Sequence, residues 1–170
     1  MPESRQPDVP KPFSPIPEVL EDLRNGKMVI LTDDEDRENE GDLVMAAEFI
    51  TPEAVTFMLQ HAMGYLCVSL PEGDCDRLQL HDQAPVNTSV RGTPFTVAID
   101  GHPRHGFTTG VSAKERARTI RMTIDPNFGA DDFVRPGHIN PLRSRDGGVL
   151  VRIGQTEGSV DLCRLAGLKA

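Results

Sequence analysis

Between Asp33 and Asp42 the chain places seven carboxylates in ten positions: Asp33, Asp34, Glu35, Asp36, Glu38, Glu40 and Asp42, with one cation, Arg37, among them. Apolar stretches bracket the run, Met28-Val29-Ile30-Leu31 before it and Leu43-Val44-Met45-Ala46-Ala47 after it. It therefore reads as a loop tied at both ends to core strands, not as an acidic tail. Two carboxylates about 6 Å apart at an effective dielectric near 20 repel by roughly 3 kcal/mol. A fold keeps such a loop only when solvent, basic groups or a bound cation offsets the repulsion. Hard oxygen donors at this density suit Mg²⁺ or Mn²⁺. An EF-hand counted from Asp36 fails at its twelfth position, where Ala47 stands in place of a bidentate Glu. A solvated acidic turn is the other reading that composition leaves open.

The 170 residues suit one domain, and 38% apolar with 26% charged residues fits a soluble globular chain. A net charge of -8 argues against non-specific nucleic-acid binding, while leaving room for local cations to hold an anionic substrate. No Trp and one Tyr argue against base stacking. No apolar run approaches the ~20 residues of a membrane span, so no membrane partner is expected. Three cysteines without a CxxC pair fit a reducing compartment, which predicts a cytoplasmic protein. Cys67 lies in an apolar run and reads first as a core thiol. Residues 1–16 are proline-rich without an apolar h-region, so they are expected to be a loosely attached arm rather than a signal peptide. Residues 17–170 are expected to form the single domain.

Local signals order the elements. A helix is expected over Pro17–Asn25, with Gly26 past its end. Strands are expected over Lys27–Thr32 and Asp42–Ala47. Thr51-Pro52 opens a helix with Ala54, Val55, Met58 and Ala62 inward, stopping near Gly64. Further strands are expected over Tyr65–Leu70, Phe95–Asp100 and Gly148–Ile153. Ser112-Ala113-Lys114-Glu115 is an S-x-x-E capping box. Asp125–Arg145, dense in Pro, Gly and Arg, reads as a long functional loop. Thr156 is expected to cap a last helix, with Val160, Cys163 and Leu165 inward and Gly167 at its end.

Three further segments invite chemistry. Thr108-Thr109-Gly110 precedes a helix N-terminus, an arrangement that either binds an anion or is an ordinary capped loop. Arg135-Pro136-Gly137-His138 holds a histidine whose pKa suits proton transfer. Arg152-Ile153-Gly154-Gln155-Thr156-Glu157 leads into a helix, where amides and a guanidinium can hold a phosphate. An acidic run that wants a cation and segments that want a phosphate suggest a metal-assisted reaction on a phosphorylated metabolite. A basic loop that merely pairs with the acidic run would explain the same composition.

Asp33-Asp34-Glu35-Asp36-Arg37-Glu38-Asn39-Glu40-Gly41-Asp42 closely resembles the signature of the 3,4-dihydroxy-2-butanone 4-phosphate synthase family of riboflavin biosynthesis. So do Thr108-Thr109-Gly110-Val111-Ser112-Ala113, Arg135-Pro136-Gly137-His138 and Gly147-Gly148-Val149-Leu150, in the same order and spacing. The resemblance implies an α/β (mixed α+β) fold, a mixed twisted sheet flanked by helices, and a homodimer with active sites at the subunit interface. It implies conversion of D-ribulose 5-phosphate to 3,4-dihydroxy-2-butanone 4-phosphate and formate, with Mg²⁺ or Mn²⁺, through enolisation, dehydration and a skeletal shift. Carried over by position, Glu38 is a metal ligand and His138 a catalytic acid or base. Asp33, Glu35 and Cys67 line the catalytic site. Arg37, Asp42, Thr109, Arg152 and Thr156 contact the sugar phosphate. Gln155 stands where the family carries a metal-ligating histidine, and offers a carbonyl oxygen in its place. Family chains usually run on past the position of Ala170 and supply a catalytic Glu there, so a shortened domain is expected. The alternatives implied are a paralogue with another product, or an inactive dimer that binds a sugar phosphate or a partner protein.

Overall fold

In the computed structural model, which describes residues 13–169, helices and strands surround two unequal cores. The expected arm over 1–16 lies mostly outside the described residues. The smaller core begins with α1 (Ile16–Arg24), which opens on prolines whose fixed φ suits a first helical turn. Its apolar residues recur three and four apart, so Val19, Leu20 and Leu23 share a face. That face meets Leu162 and Ala166 of α5 (Gln155–Ala166). β1 (Val29–Thr32) adds Val29 and Leu31 and pairs antiparallel with β2 (Gly41–Val44), Val29 opposite Val44 and Thr32 opposite Gly41. The acidic run is thus the connection of a hairpin.

The larger core lies between a three-stranded sheet and the helices α2 (Pro52–His61) and α4 (Ala113–Ile124). In the sheet, β5 (Phe133–Arg143) is central, parallel to β3 (Cys67–Leu70) and antiparallel to β4 (Ile99–Gly101). This is the mixed sheet flanked by helices that the resemblance implies. Leu70, Leu78, Ile99 and Ile139 are wholly inaccessible to solvent, and each such side chain contributes about 1.5–3 kcal/mol on burial. A short helix, α3 (Glu72–Arg77), follows β3. Both expected caps form: Thr51 Oγ1 accepts from Ala54 N at 3.1 Å, and Ser112 Oγ from Glu115 N at 3.2 Å.

The departures have physical causes. Asp125–Arg145 is not one long loop, because β5 occupies Phe133–Arg143 at the centre of the sheet. Its prolines argue locally against a strand. Tertiary burial of Ile139, Asn140 and Leu142 outweighs that preference. Gly148–Ile153 is not a strand either. Gly147 and Gly148 sit at φ 93° and 61°, and a 3-10 turn runs over Gly148–Leu150. Of Phe95–Asp100, only Ile99 and Asp100 belong to β4, while Phe95 makes an isolated bridge to Leu142. The last helix is capped by Gly154, not Thr156, which lies inside its first turn. Leu165 is 63% exposed, whereas Val160 and Cys163 are buried as expected. α2 ends at His61 and leaves Ala62 exposed. No helix among the described residues is long and apolar enough to cross a membrane.

Candidate active site

The acidic loop organises itself around Asp33. Its carboxylate accepts from Arg37 Nη1 at 2.6 Å, from Glu38 N at 3.1 Å and from Glu40 N at 2.9 Å. The amide of Glu40 is the leading cause that holds the Asp33 carboxyl below its ordinary range. Arg37 also reaches Glu38 Oε2 at 2.8 Å, so one guanidinium neutralises two acids. Asp34 Oδ1 accepts from Asp36 N at 2.8 Å, which tightens the tip, and Glu35 is exposed there. The carboxyl of Asp42 is pushed upward, first by loss of surrounding water and then by the charges of Glu40, Glu38 and Asp33. Negative charge at Asp42 is therefore in excess of what local cations offset.

A cleft of about 690 Å³ opens beside this loop. Arg37, Glu38 and Asp42 line it from the hairpin, and Cys67 from β3. Arg152, Gln155 and Thr156 line it from the start of α5. The residues come together because α5 packs on β1 while β3 runs beside them. Burial, and secondarily the charge of Asp42, pushes the Cys67 thiol up to about 12, so it stays protonated. Gln155 Nε2 donates to Leu31 O at 3.3 Å and Glu40 O at 3.2 Å, which ties α5 to the loop. Two carbonyls require the amide nitrogen on that side, which puts Oε1 on the other.

Among the described residues no group of three or more His, Cys, Asp or Glu is arranged to cage a metal. Mg²⁺ does not need one, since it keeps several waters and takes one or two carboxylates beside substrate oxygens. Glu38, the Gln155 carbonyl and the uncompensated charge at Asp42 fit that mode of binding.

His138, Thr109, Asp33 and Glu35 do not line the cleft. His138 belongs to a second cluster. Ile99 pairs with Ile139 and Asp100 with Val134, so Arg135–His138 bulge from β5. Asp100 fills the gap: Oδ1 accepts from His138 N at 3.0 Å, and Oδ2 lies 2.6 Å from His138 Nδ1. Gly137 is required there, because a Cβ would stand 2.0 Å from the Ile99 carbonyl carbon. The turn holding Thr109 packs on the same carboxylate, since a Cβ on Gly110 would meet Asp100 Oδ2 at 2.1 Å. Two amides of that turn are taken by the protein itself: Glu115 accepts from Thr108 N and from Gly110 N. The capped-loop alternative describes this segment.

Sequence reasoning missed Asp100 and Glu157. Asp100 gives no local signal, because only the bulge places it against His138. Glu157 reads as an ordinary first-turn acid, yet it lies 2.6 Å from Arg152 and is wholly buried.

Residues 17–170 match the family described as 3,4-dihydroxy-2-butanone 4-phosphate synthase. The riboflavin biosynthesis protein RibBA of Aquifex aeolicus is 58% identical over 156 residues, which is 92% of this chain and 38% of that protein. The 3,4-dihydroxy-2-butanone 4-phosphate synthase of Neisseria meningitidis serogroup B is 52% identical over 156 residues, 92% of this chain and 42% of that one. The chain thus spans less than half the length of these relatives. A solved 3,4-dihydroxy-2-butanone 4-phosphate synthase in complex with two magnesium ions superposes with a TM-score of 0.88 at 44% identity, over 92% of this chain and 72% of that one. The two-domain synthase RibBX of A. baumannii gives 0.86 at 46% identity, over 92% of this chain and 45% of that one.

Proposed function

We propose, because the chain belongs to the 3,4-dihydroxy-2-butanone 4-phosphate synthase family, that it converts D-ribulose 5-phosphate into 3,4-dihydroxy-2-butanone 4-phosphate and formate for riboflavin biosynthesis. The observation that carries this reading is the meeting of the acidic loop with Arg37, Arg152 and the first turn of α5 in one cleft. We assign this lyase activity to residues 17–170 as a synthase domain, in the cytoplasm.

The phosphate ester is the part of the substrate that the cations recognise. Arg37 and Arg152 donate guanidinium N–H groups, and Thr156 donates its hydroxyl. The opening turn of α5 offers amides that have no helical partner. Asp42 takes the sugar hydroxyls, and its upward-shifted carboxyl makes it a better proton acceptor than an ordinary aspartate. Glu38 and the carbonyl oxygen of Gln155 would hold Mg²⁺ or Mn²⁺, which when bound spreads the negative charge of an enediolate. Asp33 keeps Arg37 and the loop amides in place. Cys67 contributes a neutral thiol to the wall.

His138 exchanges protons at Nε2, because Asp100 engages Nδ1. Since His138 and Thr109 stand outside the cleft, we assign them, with Glu35 at the loop tip, to the site of a second copy. The active unit is then a homodimer, and light scattering on the protein at micromolar concentration should give a dimer mass. A monomer that is fully active sinks that assignment.

Incubation with ¹³C-labelled D-ribulose 5-phosphate and Mg²⁺, followed by NMR, is the test of function. The expected products are formate and the four-carbon ketone phosphate. A protein that binds the sugar phosphate yet releases neither product is a binder and not the synthase.

A further inference from the structure

Glu157 is the third residue of α5 and is 0% exposed. An acid in the first turn of a helix is unremarkable when it faces water, where it complements the dipole. A sealed one beside an anion site is different, because it weakens the pull on the anion and must be compensated. Both oxygens of Glu157 are committed. Oε2 accepts from Arg152 Nη1 at 2.6 Å, and Oε1 accepts from Arg145 N at 3.0 Å. Gly154 makes room for this contact: a Cβ there would lie 2.1 Å from Arg152 Nη1 and 2.7 Å from Glu157 Oε2. Arg152 Nη2 meets Arg91 O at 3.5 Å. One edge of the guanidinium is thereby fixed from inside the protein, and the other N–H groups are left for the cleft that Arg152 lines.

We propose that Glu157 is a positioning residue for the sugar phosphate, acting through Arg152. The inference rests on the reading of the cleft as a sugar-phosphate site. A free arginine side chain would lose its rotamer freedom on binding the phosphate. Glu157 imposes that order beforehand, so its contribution appears in substrate affinity and not in the chemical step.

The test is calorimetric binding of D-ribulose 5-phosphate to the wild type, Glu157→Gln, Arg152→Met and the double variant, with the Tm of each. Glu157→Gln should weaken binding roughly tenfold and raise KM with kcat nearly unchanged. The double variant, which removes both charges of the pair together and so leaves neither unpaired, should bind no worse than Arg152→Met alone. If Glu157→Gln does not fold, Glu157→Asp replaces it, with the same expectation from a retracted carboxylate. A lowered Tm with wild-type affinity would show a purely structural acid and overturn the inference alone. So would additive losses in the double variant. A wild type that does not bind the sugar phosphate overturns the reading of the cleft and this inference with it.

Discussion

His138 Nδ1 stands 2.6 Å from Oδ2 of Asp100, and the other oxygen of that carboxylate accepts the His138 amide at 3.0 Å. One buried acid thus fixes both the backbone and the ring of the histidine. Asp100 is only 4% exposed, so it has little freedom to take another position. The consequence is that Asp100→Asn should disturb His138 without touching the phosphate cleft. We expect kcat to fall on the order of a hundredfold with KM changed little. Steady-state kinetics on ribulose 5-phosphate checks it, and a large rise in KM at unchanged kcat contradicts it.

Metal binding should centre on Glu38. Glu38→Gln removes its charge while Asp33 still holds Arg37, so Mg²⁺ affinity should fall about tenfold or more. Gln155→Ala, which loses the bonds to Leu31 O and Glu40 O along with the carbonyl oxygen, should also weaken it. Gln155→His should keep one carbonyl contact, add an imidazole donor and raise formate release about tenfold, or 1.4 kcal/mol. Calorimetry with Mg²⁺ alone and a formate assay read these effects. Unchanged metal affinity in Glu38→Gln refutes the assignment.

Asp42 should cost stability near neutral pH. Its folded pKa is raised above the unfolded one by lost hydration and by Glu40, Glu38 and Asp33. The folded state therefore binds more protons than the unfolded state in that window, and stability falls as pH rises through it. Asp42→Asn should accordingly raise Tm at neutral pH and make no difference at pH values below the ordinary carboxylate range. Mg²⁺ should raise the Tm of the wild type more than that of the variant. A destabilised Asp42→Asn protein at neutral pH would contradict this account.

Cys67 should resist alkylation despite lying on the cleft wall. A thiol raised to about 12 exposes roughly one thiolate in ten thousand at pH 8. Mass spectrometry after brief iodoacetamide treatment of the native protein should find Cys67 unmodified, and modified once the chain is unfolded. Rapid native labelling would show an activated thiol instead.

The sequence by itself determined the local pieces. Apolar flanks tied the acidic run into a hairpin, Thr51 and Ser112 marked helix starts, and Gly167 marked a helix end, because caps and periodicity act over a few residues. The chemistry of two segments, the acidic run and Arg152–Glu157, was legible for the same reason, while the individual parts of Glu38, Asp42, Arg152 and Thr156 came from the family resemblance. Only the tertiary structure decided the rest. It put a proline-bearing segment at the centre of the sheet, because burying Phe133, Ile139 and Leu142 outweighs the local cost of Pro136 and Pro141. It filled the Thr108-Thr109-Gly110 turn with the protein's own Glu115. It set Asp100 against His138 through a bulge, and Glu157 beneath Arg152 through the space left by Gly154. The Asp100–His138 pairing joins different elements, and a contact of that kind leaves no trace in the local pattern of either partner, while Glu115 and Glu157 lie close in sequence to their partners but could equally have faced water.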